Sequence, residues 1–222
     1  MSETLAPETQ ATVDVAVMNQ LTTAKDVRTE SPLHHAELDK LAARNPRTGG
    51  VMLRELKLLG HLTLRGSQQN QSFMNGCAEV LGVALPTQPL TSVEKGGVSI
   101  RWISPDEWLV VLPGDQAYEV EQGLRAAIEG HFSVVNVSGG QTIVELSGPN
   151  ARDMLKKCIP LDIHPSQFPV GKVAGTVFAK STAVVRRSGE ESWELVIRRS
   201  FADYIWLWLQ DAGREYGLVI KS

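Results

Sequence analysis

One order of landmarks occurs twice in this chain, and it restricts the fold more than any other feature. Glu55–Leu64 (ELKLLGHLTL) is an apolar-alternating run that closes in Leu64-Arg65-Gly66. Thr142–Leu146 (TIVEL) does the same and closes in Leu146-Ser147-Gly148. A helical pattern follows each glycine: Phe73, Cys77, Val80 and Leu81 share one face after the first, and Ala151, Met154, Leu155 and Cys158 after the second. Pro149 suits the first turn of the second helix, where an N–H has no intrahelical partner. Each copy then carries a tryptophan-led strand running into a helix, Trp108–Ala117 and Trp193–Ala202. Gly66 and Gly148 lie 82 residues apart, and the two tryptophans 85. Two landmarks at almost one offset indicate a duplicated unit.

Each unit reads as strand, helix, strand pair, helix, strand. Ser99–Ser104 and Trp108–Leu112 form a hairpin around Pro105-Asp106; Thr176–Arg187 and Ser192–Arg198 form another around Gly189. Helices alternating with paired strands give an α+β class, with antiparallel sheets carrying helices on one face. The body is expected over 49–222, with halves of about 51–132 and 133–222. Residues 1–48 are expected to form a polar N-terminal arm. Its first 31 residues are rich in Thr, Glu and Ala and lack aromatics, too little apolar surface to order alone. They read either as a disordered tail or as an arm ordered against a partner. Within Ser31–Arg44, Leu38, Leu41 and Ala42 have the spacing of a short helix, and the turn-rich Asn45–Gly50 leads into a body starting near Val51.

Charge narrows the function classes. The chain carries a formal net charge of −3. Residues 1–30 hold five acids and two bases, which leaves 20 of each sign in residues 31–222. A neutral body associates readily and lacks the basic surplus of a nucleic-acid binder. No run of 18 apolar residues is present to span a membrane. Acids precede any base at the start, and Val13–Met18 is too short for a signal peptide, so a cytoplasmic location is expected. Cys77 and Cys158 belong to no metal-binding motif and occupy equivalent inward positions, as core thiols.

Catalytic constellations are absent: no phosphate-binding glycine loop, no His-Glu-x-x-His and no nucleophile elbow. Gly49-Gly50, Gly96-Gly97 and Gly139-Gly140 read as turns. His34 and His35 point to different sides of a helix; His61 lies in a strand and His131 at a helix end. Asp162 and His164 could share a strand face, but a general base also needs a third partner and a pocket. A polar contact in the loop before Pro165 is the simpler reading. No catalytic, cofactor-binding or metal-ligating residue is assigned.

The two late helices differ. In Gln116–Glu129, Ala117, Val120, Leu124 and Ile128 make one apolar stripe, with Glu119, Glu121 and Arg125 facing water. In Phe201–Gly213 the stripe is Phe201, Ile205, Trp208, Leu209 and Ala212, while Trp206 and Leu207 lie off it. A helix apolar most of the way round is buried on more than one side. Either the chain's own tail covers Trp206 and Leu207, or they are a partner interface, where aromatic residues are enriched.

Val135-Asn-Val-Ser-Gly-Gly-Gln-Thr-Ile-Val-Glu-Leu-Ser-Gly-Pro-Asn-Ala151, then Leu161-Asp162 and Gln167-Phe-Pro-Val-Gly171, resembles the aminomethyltransferase (glycine-cleavage T-protein-like) folate-binding fold. The tail from Ala183 through Trp193 to Trp208 is similar too. Ser31-Pro32-Leu33 and the overall length more specifically resemble the gamma subunits of bacterial heterotetrameric sarcosine oxidases. That resemblance covers residues 31–222. It implies a complex that oxidises sarcosine to glycine, with formaldehyde or 5,10-methylenetetrahydrofolate and hydrogen peroxide as the other products. It also implies alpha, beta and delta subunits as partners, with FAD, FMN, NAD and tetrahydrofolate held outside this chain. Catalytic members of the superfamily place an acid in a Gly-Gly-containing strand. The nearest match here, Gly96-Gly-Val-Ser-Ile-Arg101, has Ile100 and Arg101 instead, and an arginine does not act as a base at ordinary pH. The expected role is therefore a non-catalytic subunit; the alternative is a stand-alone folate-binding protein or aminomethyltransferase-like enzyme.

Overall fold

In the computed structural model, residues 28–44 and 48–221 are described. A 3-10 turn at His34–Ala36 leads into helix α1 (Leu38–Arg44). Strands β1 (Val51–Leu56) and β2 (Gly60–Gly66), helix α2 (Gln71–Leu81), strands β3 (Ser92–Lys95), β4 (Val98–Ser104) and β5 (Glu107–Leu112), helix α3 (Ala117–Ala127) and strand β6 (Phe132–Asn136) follow. The second repeat supplies β7 (Gln141–Ser147), α4 (Ala151–Lys156), β8 (Val173–Phe178), β9 (Ser181–Gly189), β10 (Ser192–Arg198), α5 (Ala202–Gly213) and β11 (Leu218–Lys221). The strands make two sheets, β3-β4-β5-β2-β6 and β11-β1-β7-β10-β9-β8. All pairs are antiparallel except β1 with β11.

Period-2 alternation sends each strand's residues to two different layers. From the first sheet, Leu62, Leu64, Ile100, Trp108, Val110 and Leu112 meet Phe73, Cys77 and Leu81 of α2 and Leu124 of α3. From the second, Leu53, Val144, Leu146, Trp193, Leu195 and Ile197 meet Met154 and Leu155 of α4 and Ile205 and Leu209 of α5. The opposite faces meet each other through Leu109 and Val111 of β5, Ile143 of β7 and Val196 of β10. The order of layers is therefore helix, sheet, sheet, helix. Both tryptophans are buried beside a phenylalanine: Phe73–Trp108 at 5.7 Å and Phe168–Trp193 at 5.5 Å between ring centroids. The two free thiols are buried at matching places, and burial pushes Cys77 up to about 12 and Cys158 up to about 11.

The repeat glycines are required by space. A Cβ on Gly66 would sit 2.7 Å from the Phe73 ring, and one on Gly148 2.7 Å from the Gly50 carbonyl oxygen, at a φ of +110°.

Three expectations change. Glu55–Leu64 is not one strand: it breaks at Leu58 (φ +56°), and β1 crosses to the other sheet, between β7 and β11. The half expected to begin at 51 thus gives its first strand to the second repeat's sheet. Thr176–Arg187 is likewise two strands, broken at Ala179 (φ +49°). Finally, the body begins before Val51, because Leu33 and Leu38 lie in the second core. The buried Glu55 carboxylate needs donors. Ser31 Oγ (2.7 Å), the Leu33 N–H (3.2 Å) and Thr142 Oγ1 (2.9 Å) supply them and pin the arm to β1 and β7. The short helix of the arm is α1; the reading of residues 1–27 lies outside the described residues.

Candidate functional site

The inter-sheet layer encloses three charged side chains, Arg101, Arg186 and Glu194, and a fourth, the exposed Glu94, closes its rim. On β4, Ile100 enters the helix-side core, so its neighbour Arg101 points into the seam. Glu194 on β10 alternates with Trp193 and Leu195 in the same way, and Arg186 on β9 alternates with Val185. Arg101 Nη2 donates to Glu194 Oε2. Arg186 Nη1 donates to both Glu194 oxygens at 3.2 Å, and its Nη2 to Glu94 Oε2 of β3 at 2.6 Å. Ser92 Oγ accepts from Arg186 Nε at 3.0 Å and donates to the Gly171 carbonyl at 2.7 Å. Two cations and two anions balance, and they tie β3 and β4 of the first repeat to β9 and β10 of the second.

Arg101 is 1% exposed. Burial lowers its pKa to about 10, the attraction of Glu194 opposing the shift, so it stays charged at neutral pH. Its Nε and Nη1 make no hydrogen bond among the described residues, which leaves Glu194 as its chief stabilising partner. Gly96 and Gly97 form the β3–β4 turn at φ +60° and +85°. After the turn, β4 carries an apolar core residue, Ile100, and then a cation, Arg101, closed in by the chain's own carboxylates.

The remaining polar candidates are separate from the seam. His61 is buried, with Nδ1 3.0 Å from Gln141 Oε1, and its pKa is lowered, chiefly by burial. A depressed imidazole pKa means the unfolded chain binds the proton first, so stability should fall as pH drops below the ordinary 6.5. His61→Gln should flatten that slope in urea melts at pH 7 and pH 5; an unchanged slope would assign it to other groups. The loop before Pro165 holds Asp162 and His164 as a local polar contact: Asp162 Oδ1 accepts from the His164 N–H at 2.9 Å, and His164 Nδ1 lies 2.8 Å from Ser166 Oγ. His35 lies 2.8 Å from Asp203 and His34 3.5 Å from Glu30. Among the described residues no group of three metal-ligating side chains converges.

Two helix faces need correction. Glu121, expected in water, is buried and accepts from Arg125 Nη2 at 2.8 Å. With Tyr118 and Arg125 it forms one wall of a cleft of about 610 Å³, whose other wall includes Ser133–Asn136 of β6. On α5 the buried stripe is Ala202, Ile205, Trp206, Leu209 and Ala212. Trp206 is 5% exposed, packed in its own chain's core, and is not a free interface residue. Leu207 (57%), Trp208 (39%) and Phe201 are exposed instead. The buried stripe keeps Ile205, Leu209 and Ala212 of the sequence reading and takes Ala202 and Trp206 in place of Phe201 and Trp208, a choice of face that an apolar-all-round pattern does not specify. Sequence reasoning also missed Arg186 and Glu194; the one signal was Glu194, a charge between Trp193 and the apolar Leu195–Ile197 of β10.

A two-repeat body in four layers, its seam closed by its own charges, is an aminomethyltransferase-type fold. Aminomethyltransferase T of the glycine cleavage system from Bartonella henselae superposes with a TM-score of 0.60 over 82% of this chain and 50% of that one, at 13% identity. The chain belongs to the sarcosine oxidase, gamma subunit family, which residues 65–215 match. It is 33% identical over 202 residues to sarcosine oxidase subunit gamma of Corynebacterium sp. (strain P-1), covering 89% of this chain and 96% of the relative. The Arthrobacter sp. subunit gamma is 31% identical, with 84% and 90% covered. A chain of the heterotetrameric sarcosine oxidase from Corynebacterium sp. U-96 superposes with a TM-score of 0.77 at 28% identity, over 85% of this chain and 96% of that one.

Proposed function

We propose that this chain is the non-catalytic gamma subunit of a cytoplasmic heterotetrameric sarcosine oxidase, assembled with alpha, beta and delta subunits. The complex converts sarcosine to glycine; the methyl carbon leaves as formaldehyde or as 5,10-methylenetetrahydrofolate, and oxygen is reduced to hydrogen peroxide. FAD, FMN, NAD and tetrahydrofolate reside on the other subunits, and this chain serves assembly. The arm of residues 1–48 and the body of 49–222 act as one assembly unit. The observation that carries this reading is the closed seam, with Arg101 locked by Glu194 in the strand where a folate enzyme of this fold places an acid.

Purification from the native host tests it. The chain is expected to co-elute with three larger or smaller partners and with oxidase activity. Alone it should show neither flavin absorbance nor hydrogen peroxide production. Saturable micromolar binding of tetrahydrofolate by the isolated chain would instead support a stand-alone folate protein.

The exposed α5 residues Phe201, Leu207 and Trp208 form the face that meets another subunit. Leu207→Asp should weaken assembly at least tenfold while shifting the isolated chain's stability by less than about 0.5 kcal/mol, as exposed substitutions do. Trp206→Asp should instead destabilise the isolated chain by about 3 kcal/mol or more, since it removes a core aromatic and buries a charge. Calorimetry of the isolated chain beside size-exclusion of the mixture separates the two. Equal melting losses for both variants would remove Leu207 from the interface.

A further inference from the structure

Outside the seam, one small cavity gathers charges that the chain itself leaves unpaired. It measures about 260 Å³ and lies where the corner between β7 and α4 meets the turn between β9 and β10. The corner contributes Gly148, Pro149 and Arg152, and the hairpin contributes Arg187, Glu190 and Glu191. The walls are held in place. The Gly148 N–H donates to the Glu191 carbonyl at 3.0 Å, which ties the corner to the turn. Arg187 Nη1 donates to the Phe168 carbonyl at 3.1 Å and Nη2 to Glu190 Oε2 at 2.8 Å, while the guanidinium lies over the Trp193 ring at 5.7 Å.

Arg187 and Glu190 thus satisfy each other, and Arg152 and Glu191 do not. Among the described residues the half-buried Arg152 guanidinium has no hydrogen bond or ion pair, although its Nε is fully enclosed. Its neighbour Asp153 is taken by Lys156 at 2.9 Å. The exposed Glu191 carboxylate likewise has no cation among the described residues. A partly buried guanidinium without an acceptor favours a bound anion, and its planar fork suits a carboxylate. The two arginines and two glutamates of the cavity sum to zero charge, which disfavours a multiply charged anion such as phosphate. A volume below the about 300–1,000 Å³ usual for ligand pockets admits only a small molecule.

We propose that this cavity binds a small zwitterionic α-amino acid, with its carboxylate on Arg152 and its ammonium on Glu191. One unpaired cation and one unpaired anion in a single small cavity match the two charged groups of such a ligand. The site goes beyond the subunit reading above and stands without it; glycine and sarcosine both belong to the ligand class.

Isothermal titration of glycine into the full-length chain tests it, with acetate as the probe that lacks an ammonium. Glycine should saturate one site at about millimolar concentration, the range open to a ligand of so few atoms. Acetate should bind about tenfold more weakly, having lost one charged contact. Arg152→Met should weaken glycine about tenfold, and Arg152→Lys, which keeps the charge, less. Glu191→Gln, at an exposed residue, should weaken glycine about tenfold without weakening acetate. Glycine should also shift the Gly148 amide and Trp193 indole N–H resonances. Absence of saturation by glycine overturns the proposal. So does acetate binding as tight as that of glycine, or glycine binding that Arg152→Met and Glu191→Gln both leave unchanged. None of these outcomes bears on co-purification with other subunits, so the site and the subunit reading fail separately.

Discussion

Glu194→Leu is expected to lower stability by about 3–5 kcal/mol, the range for removing one partner from a buried ion pair. The reason is the state of Arg101 afterwards. Its guanidinium is fully enclosed, two of its three nitrogens have no hydrogen bond among the described residues, and Glu194 is its direct carboxylate partner. With the carboxylate gone, the cation must stay charged without compensation, draw in water or open the seam. At about 2–4 °C per kcal/mol for a chain of this size, the melting temperature should fall by roughly 6–20 °C. Removing the other charge tests the cause: Arg101→Met added to Glu194→Leu should recover most of the loss, because an apolar pair of similar volume is often neutral or better. Arg186 would keep Glu94 and Ser92 in that double variant. A double variant no more stable than Glu194→Leu would show that the loss came from packing around β10.

Trp108→Ala and Trp193→Ala should each cost about 3–5 kcal/mol through the cavity left by a large buried aromatic. Each ring is the centre of a different core, Trp108 beside Phe73 and Trp193 beside Phe168. Trp108 also donates its indole N–H to the Pro86 carbonyl at 2.8 Å, so its removal strands a buried acceptor. Trp193 instead has the Arg187 guanidinium over its ring at 5.7 Å. Urea denaturation should therefore show comparable losses, that of Trp108→Ala being the larger. If the two halves unfold as one unit, both variants keep a single transition. A loss under about 1 kcal/mol for either would contradict its place at the centre of a core.

The two strand breaks that escaped sequence reading have a common cause. Leu58 and Ala179 both take a left-handed backbone without being Gly, Asn or Asp, so neither leaves the composition signal by which turns are read. Neither break is marked, and two strands therefore look like one. The hairpin at Pro105-Asp106 was legible because its turn does carry that signal. The candidate site was half legible. Arg101 stands out in the sequence as a charge in the strand after Gly96-Gly97, yet its partner Glu194 lies 93 residues further along the chain, and Arg186, which shares that carboxylate, 85 residues further along.

What the sequence determined by itself was the order of elements, the duplication and the inward cysteines. These depend on local periodicity and on glycines that only close packing explains. Tertiary structure alone decided where the duplicated units meet. An amphipathic pattern says that a face is covered, not by what: Trp206 is buried and Trp208 exposed because of how α5 lies on β10, and Glu55 holds the arm because three donors converge on it from distant segments. The balanced body charge is of the same kind. Counting showed 20 acids against 20 bases. Only folding brought Arg101, Arg186 and Glu194 together in a buried seam, with the exposed Glu94 at its rim, where they tie the halves together.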